Sequence, residues 1–464
     1  MAAQSLPLET LYQIFGYING SLAPYASVCR TWQSAVEKLT FADLNINSSI
    51  LEEFDQITGS SKSLGRYYHI KKIFFKVVLP KYSVAARSRY ENEHDRNRNN
   101  EAFTHAIESL FRILSSWPNE CCNTKYLGLY SRSPSDWQAE PDWGKRAARQ
   151  KTGCIFPERD LLERRYEHCY LGLIEESNLS NVDCISSFRI PGQYSHRKIA
   201  PKAVSKMVSH LPRLQHINVA LNDCESEDIM LRDQLRNEFT FNDWPQSLRH
   251  LNLSYWGPTP RDQSLPPPKR SSTGMDSLSI ALNQLSQQLE SIKLSHIMIS
   301  SELFWPAGAG KSILFWPNLV AFDLSYEAAT SCGKWLFERD PAWNDKCTES
   351  SCHFDSPQSC NEFRMLPNKH INDIYLAAAY AAKNMPRLNR MRLEAEIRSS
   401  VPHEPNPVPT HIFQYDVTLG KAIWVSSSEF HIAEEVRRAW NTVAKSHGHV
   451  EICAEVCCAS HPVF

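Results

Sequence analysis

The chain has 464 residues, 42% hydrophobic and 22% charged, which is enough apolar material for a packed core and argues against a disordered chain. Lys and Arg number 50 against 51 Asp and Glu, a net charge of −1, so the basic excess of a nucleic-acid binder is absent and no nucleic-acid partner is expected. The longest nearly apolar run, Ile374 to Ala382, falls well short of the ~20 residues of a membrane helix, so no membrane partner is expected either.

In chain order, Leu8, Leu11, Ile14, Phe15 and Ile18 recur at helical spacing behind Pro7 and predict a helix over 8–18. Asn19-Gly20-Ser21 ends it with turn chemistry. A second apolar set follows at Leu22, Tyr25, Val28 and Cys29. A third helix, about 30–38, offers Trp32, Ala35, Val36 and Leu39. Three short helices in fewer than ~40 residues cannot build a sufficient core alone. They must lean on the domain that follows, on a partner chain, or on both.

Two stretches here resemble the halves of an F-box: Leu6-Pro7-x-Glu9-x-Leu11-x-x-Ile14-Phe15-x-x-Ile18, then Ala26-Ser27-Val28-Cys29-Arg30-Thr31-Trp32. The Asp-Pro-x-Asp stretch that often opens the second helix of that motif is reduced to Leu22-Ala23-Pro24-Tyr25. The resemblance implies that residues 1–40 form an F-box. It implies that Leu6, Pro7, Leu11, Ile14, Ile18, Val28 and Trp32 help dock on a Skp-type adaptor, itself bound to a cullin.

Beyond residue 40 a short pattern recurs, apolar-x-x-apolar-x-apolar, often behind Pro. Good copies stand at Leu214/Ile217/Val219, Leu248/Leu251/Leu253, Leu289/Ile292/Leu294, Leu319/Phe322/Leu324 and Leu388/Met391/Leu393. Weaker copies are Phe41/Leu44/Ile46, Ile70/Ile73/Phe75, Ile185/Phe188/Ile190 and Val450/Ile452, with a partial one at Tyr126/Leu127/Leu129. The closing apolar-x-apolar pair is strand alternation with one face inward. Such a unit buries its face only against its neighbours, as in a leucine-rich repeat. Helical patterns at 101–116, 201–210, behind Asp276, at 371–384 and at 428–446 lie between the strands. Helix then strand, repeated, predicts an α/β chain with a largely parallel sheet and outer helices.

The expected organisation is therefore a three-helix F-box followed by an irregular leucine-rich-repeat-like solenoid over 41–464. Insertions are expected near 132–157, 257–275 and 339–370, where polar residues and Pro gather. As a whole the chain resembles a group of F-box proteins common in filamentous fungi, including at Gly333-Lys334-Trp335-Leu336-Phe337-Glu338-Arg339-Asp340-Pro341 and at Ala381-Ala382-Lys383-Asn384-Met385-Pro386-Arg387-Leu388.

Catalytic motifs are weak by comparison. Gly308-Ala309-Gly310-Lys311-Ser312 looks like a phosphate loop, but Trp305 stands where the first Gly belongs, and Pro306 removes a backbone donor. Cys347, Cys352, His353, Cys360 and His370 lack the Cys-x-x-Cys knuckle of a zinc site. His168 and Cys169 are adjacent in sequence, which does not make a catalytic pair in space. The run 145–151, Lys-Arg-Ala-Ala-Arg-Gln-Lys, reads as a solvated basic loop. The 14 Cys are scattered, and Pro7 and Glu9 fall where a secretory signal would need its basic and apolar regions. That usage fits an intracellular protein, cytoplasmic or nuclear, with reduced thiols.

The resemblance implies a non-catalytic, substrate-recruiting subunit of a Skp–cullin–F-box ubiquitin ligase, with no cofactor and no metal. The outward strand residues Arg249, Lys293 and Asp323 are the candidates for holding a target protein. Two other readings stay open. One is an F-box scaffold in a non-ubiquitin assembly, and the other is an enzyme using the 308–312 loop or the 347–370 Cys cluster.

Overall fold

In the computed structural model nearly every recurring apolar-x-apolar pair lies on a strand. It describes residues 6–59, 65–118, 125–137, 165–166, 168–192, 197–223, 228–257, 266–267, 269–270, 275–305, 314–339, 364–397 and 410–458. The chain divides into two units, Met1–Val219 with Trp244–Ser247, and Ala220–Asp243 with Leu248–Phe464. Each is α/β, built on mostly parallel strands with helices between them. No helix among the described residues is long and apolar enough to cross a membrane.

The first unit opens with helices α1 (Leu8–Gly16), α2 (Ala23–Ala26) and α3 (Arg30–Thr40). Their core is Leu11, Phe15, Ala35 and Val36, with the Phe15 and Trp32 rings meeting edge-on at 5.4 Å. Pro24 stands in the first turn of α2, where a missing N–H leaves no helical bond unmade. Then come β1 (Asp43–Asn47), α4 (Leu51–Thr58), β2 (Lys72–Val78), α5 (Glu93–Ser115), β3 (Lys125–Arg132) and α6 (Pro134–Trp137). They are followed by β4 (Tyr170–Leu171), β5 (Ile185–Ile190), β6 (Lys198–Ile199), α7 (Pro201–Ser209) and β7 (His216–Asn222). The order β1-β2-β3-β5-β7 is parallel throughout. Parallel neighbours need a crossover rather than a tight turn, and α4, α5 and α7 supply three of them. The repeat positions become lateral neighbours: Leu44, Ile73, Leu127, Phe188 and Ile217 form one row, and Ile46, Phe75 and Leu129 the next. Helix α5 covers this buried side with Phe103, Ile107, Leu110 and Leu114. It starts at Glu93, earlier than its apolar stripe predicts, because the Asn92 side chain accepts a hydrogen bond from the Asp95 N–H and caps it.

The second unit carries α8 (Ile229–Asn237), β8 (His250–Trp256), α9 (Ser277–Ser286), β9 (Ser291–Ile297), β10 (Ala321–Glu327), β11 (Phe337–Arg339) and β12 (Arg364–Pro367). It continues through α10 (Lys369–Ala382), β13 (Arg390–Glu396), β14 (Thr410–Asp416), β15 (Lys421–Ser426), α11 (Glu434–Ser446) and β16 (Cys453–Cys458). Strands β8, β9, β10 and β13 are parallel, with Leu251, Ile292, Phe322 and Met391 in one row and Leu253, Leu294, Leu324 and Leu393 in another. Strand β14 runs antiparallel to β13 and β15, and β16 then pairs parallel to β15. The β14–β15 turn ends at Gly420, whose φ of 57° favours glycine, and a Cβ there would meet the His449 ring at 2.7 Å.

Several local expectations change. The last strand begins at Cys453 rather than at Val450, which is 90% exposed in the turn after α11. Strands β14 and β15 lie outside the repeat pattern, because an antiparallel hairpin needs no crossover and so no buried residue ahead of the strand. Asp276 stands at the start of α9, but its carboxylate takes Arg236 and the Ser279 hydroxyl rather than a helix N–H. Most of the three insertions lies outside the described residues.

The aromatic core of the second unit encloses His411 among Phe337, Tyr375 and Phe430, with its Nδ1 3.1 Å from the Ser426 hydroxyl. Burial lowers its pKa to about 3. Between that value and the ordinary 6.5 the unfolded chain binds a proton that the folded chain refuses. Stability therefore falls as pH drops through this window, by at most ~1.4 kcal/mol per pH unit from this group. His411→Phe should flatten the decline between pH 7 and pH 5 in urea-unfolding midpoints. An unchanged pH dependence would refute the assignment.

Candidate docking surfaces

The residues of the F-box-like motif separate into core and surface. Leu11 is fully buried, while Ile14 is 38% and Val28 48% exposed. Pro7 is exposed, and Leu6, Ile18 and Trp32 are partly buried against the helical core. Tyr17, three residues after Ile14 and on the same outward side of α1, is 87% exposed. Surface apolar groups at Pro7, Ile14, Tyr17 and Val28 are what a docking partner could cover; Leu11 instead holds the helices together.

These helices are tied to the strands of their own unit by one buried carboxylate. Glu37 on α3 accepts from Arg66 Nε at 3.1 Å, from Arg66 Nη2 at 2.8 Å and from Gln33 Nε2 at 2.9 Å. Arg66 lies just ahead of β2 and also covers the Phe41 ring at 5.7 Å. Burial alone would raise the Glu37 pKa, but the bonds from Arg66 and Gln33 and the Arg66 charge hold it below the ordinary carboxylate range.

On the second unit, Lys293 and Asp323 sit in one lateral row with Asn252 and Arg392. Arg249 stands apart, one residue before β8, with its Nε 3.8 Å from Glu290. Asp323 pairs with Arg390 at 2.9 Å, Arg392 with Glu394 at 3.0 Å and Lys421 with Glu455 at 2.9 Å. The outward side of this unit is thus of mixed charge and largely neutralised within itself. Lys293 and Asp323 are brought together; Arg249 belongs to a separate pair at the base of the strands.

Two buried ionic networks carry no repeat or motif signal. In the first unit, Glu91 accepts from Arg197 at 2.6 Å and from Asn99 at 2.7 Å, and Arg165 bonds Asp95 at 3.0 Å. Tyr82 and Tyr166 both donate to Asp136, at 2.6 and 2.5 Å. In the second, Arg270 pairs with Asp223 at 3.2 Å and Arg236 with Asp276 at 2.9 Å. Asp136 and Arg165 bracket the insertion after β3, and Arg270 lies in the one after β8. Their chemistry is anchoring: burying an ion is costly unless a partner meets it, so the bonds of Asp136, Arg165 and Arg270 hold residues at or within inserted segments. No local sequence pattern marks them, since the partners lie far apart in the chain.

Of the catalytic candidates, the 308–312 segment, Cys347, Cys352, His353, Cys360 and the 145–151 run lie outside the described residues. His370 opens α10 and lies 3.5 Å from Asp373. Among the described residues no group of His, Cys, Asp and Glu is placed to hold a metal ion. Burial pushes the Cys169 thiol up to about 12, so it is a poor nucleophile where it stands.

Residues 360–461, from β12 through β16, match a family of unknown function (DUF6546). No curated protein matches the chain.

The Glu37–Arg66 tie yields a stability test. Arg66→Ala leaves the buried Glu37 carboxylate with Gln33 as its remaining side-chain donor and no opposite charge, and should destabilise the first unit by about 1–3 kcal/mol. Glu37→Gln combined with it should cost less than the sum of the two single changes. Denaturant midpoints of the four proteins in this cycle measure the coupling. Strict additivity would mean that the bond does not pin the helices.

Proposed function

We propose that the chain is the substrate-recruiting subunit of a Skp–cullin–F-box ubiquitin ligase. The helices at 8–40 dock on a Skp-type adaptor, and the strand-bearing remainder holds a target protein. The chain makes no bond itself in this reading. Its contribution is proximity, which turns a bimolecular encounter into a local one. The observation that carries the reading is the co-occurrence of both motif halves within residues 6–32, with Pro7, Ile14 and Val28 at the surface of short helices. Exposed apolar groups at such a place are costly to solvate and are suited to a partner's groove.

The test uses surface residues and spares Leu11, whose replacement by a charge would unfold the helices. Ile14→Asp with Val28→Asp should lower adaptor affinity by more than about tenfold, because central apolar anchors dominate such interfaces. The melting temperature should stay within the range of exposed substitutions. Side-by-side affinity purification with mass spectrometry, scored for adaptor, cullin and target, makes the measurement. Undiminished adaptor recovery by the folded double variant refutes the docking face. Recovery of adaptor without any cullin moves the chain to a non-ubiquitin assembly.

A further inference from the structure

The insertion after β8 packs against its own unit at Pro267 and Arg270, which are buried, while Pro266 and Lys269 are exposed. A spacing of three residues is the period of a polyproline II helix. Pro266 and Pro267 each precede another proline, which confines them to extended backbone. The Arg270 guanidinium donates to both Asp223 oxygens, Nη1 to Oδ2 at 3.2 Å and Nη2 to Oδ1 at 3.3 Å. The Arg270 N–H donates to the Ser331 carbonyl at 2.8 Å, and the Lys269 carbonyl accepts from Arg232 Nη2 at 3.2 Å. A buried proline, a forked cation and backbone bonds are the means by which a groove holds a linear proline-rich segment.

The seat is built from parts that hold themselves in place. The Asp223 N–H donates to the Trp256 carbonyl at 2.8 Å, which sets Asp223 beside Gly257. After β10, the Gly333 N–H closes a turn on the Thr330 carbonyl at 3.0 Å, and the Ser331 N–H donates to the Ile299 carbonyl at 3.2 Å. Both glycines are fitted to the occupant. A Cβ at Gly257 would lie 2.5 Å from Arg270 Nη2. One at Gly333 would lie 2.7 Å from Lys269 Cγ and 3.3 Å from the Pro267 carbonyl oxygen. Gly257, Ile299 and Ser331 stand past the carboxyl ends of β8, β9 and β10, the end at which open parallel sheets take ligands.

Two buried ion pairs lie here, and they differ in kind. Burial opposes both charges of Arg236 and Asp276, but their attraction outweighs it, and Arg236 is shifted up and Asp276 down. At the other pair burial wins: Asp223 is shifted up and Arg270 down, although each attracts the other. Both charges of the second pair therefore regain solvation when they part. The pair that carries the inserted segment is the one that exchange favours.

We propose that the seat formed by Asp223, Gly257, Ser331 and Gly333 is a binding site for Pro-x-x-Arg segments of a partner protein, held closed in this chain by its own Pro267 and Arg270. The proposal rests on the reading that a target protein is recruited, and it names the chemistry of that target. The two-oxygen contact at Asp223 selects Arg over Lys, whose ammonium cannot match a carboxylate with a planar fork.

The test needs no adaptor, so its failure and failure of the docking helices are told apart by adaptor recovery. The probe is a labelled peptide of residues 264–272, Ser-Leu-Pro-Pro-Pro-Lys-Arg-Ser-Ser, titrated against the full chain by fluorescence anisotropy. Pro267→Ser with Arg270→Ser opens the seat. This variant should bind the peptide at least about tenfold more tightly than wild type, where the tethered segment competes at ~mM effective concentration. Adding Asp223→Asn to the open variant, or placing Lys for Arg in the peptide, should each weaken binding by about tenfold. No binding to the folded open variant, equal binding to both proteins, or binding unmoved by Asp223→Asn overturns the proposal. Should the open variant fail to fold, wild type decides by hydrogen exchange. Peptide at ~10 mM, above the effective concentration of the tether, should speed exchange of the Arg270 N–H by displacing it from Ser331. Unchanged exchange there overturns the proposal.

Discussion

A strand that is apolar on one side only has one stable arrangement: its apolar side must be continued by neighbours in the same lateral row. That constraint organises both units. Ile73 lies between Leu44 and Leu127, and Ile292 lies between Leu251 and Phe322. A slip of one residue in any of these strands would turn its apolar side to water and its polar side into the core. At ~25 cal/mol per Å2 of apolar surface, such a slip costs far more than any single surface contact returns. The register is therefore rigidly specified, and the outward positions are left to vary with function.

The crossovers are where this chain departs from a regular repeat, and there buried ions take over from apolar packing. Asp136, Arg165 and Arg270 sit at or within inserted segments, each against an opposite charge or a donor group inside its own unit. An apolar pair of the same volume would stabilise as well or better. What an ion pair adds is directionality, since a guanidinium is satisfied in few orientations. The Glu37–Arg66 bond has the same character. It sets the orientation of the N-terminal helices on the strands that follow them, which fixes how the exposed Ile14 and Val28 are presented.

The two units differ in the charged residues on the outward sides of their strands. In the second, Asp323, Glu394 and Glu455 meet Arg390, Arg392 and Lys421 within the molecule, so little net field reaches an approaching partner. In the first, cations outnumber the carboxylate Asp43, which itself bonds Lys72 at 3.1 Å.

The apolar-x-apolar rhythm by itself determined the strands β1, β2, β5, β7, β8, β9, β10 and β13 and which of their sides is buried, because burial on one side of a strand is written at every second residue. Helical spacing likewise located α1, α3, α7 and α10 to within a few residues. The distinction between Leu11 in the core and Ile14 at the surface was not legible, since both lie on the apolar stripe of α1 and only the packing of α3 decides which is covered. Nor was the hairpin β14–β15, whose alternation lacks the buried residue that precedes a crossover strand. The ion pairs Glu91–Arg197 and Asp223–Arg270 join residues far apart in the chain, and no local pattern encodes such a meeting. The same holds for the ring contact of Phe74 with Tyr126 beside Gly128, which strand register alone brings about. Local rhythm records what each segment must bury; which charges and rings become neighbours is decided by how the strands line up.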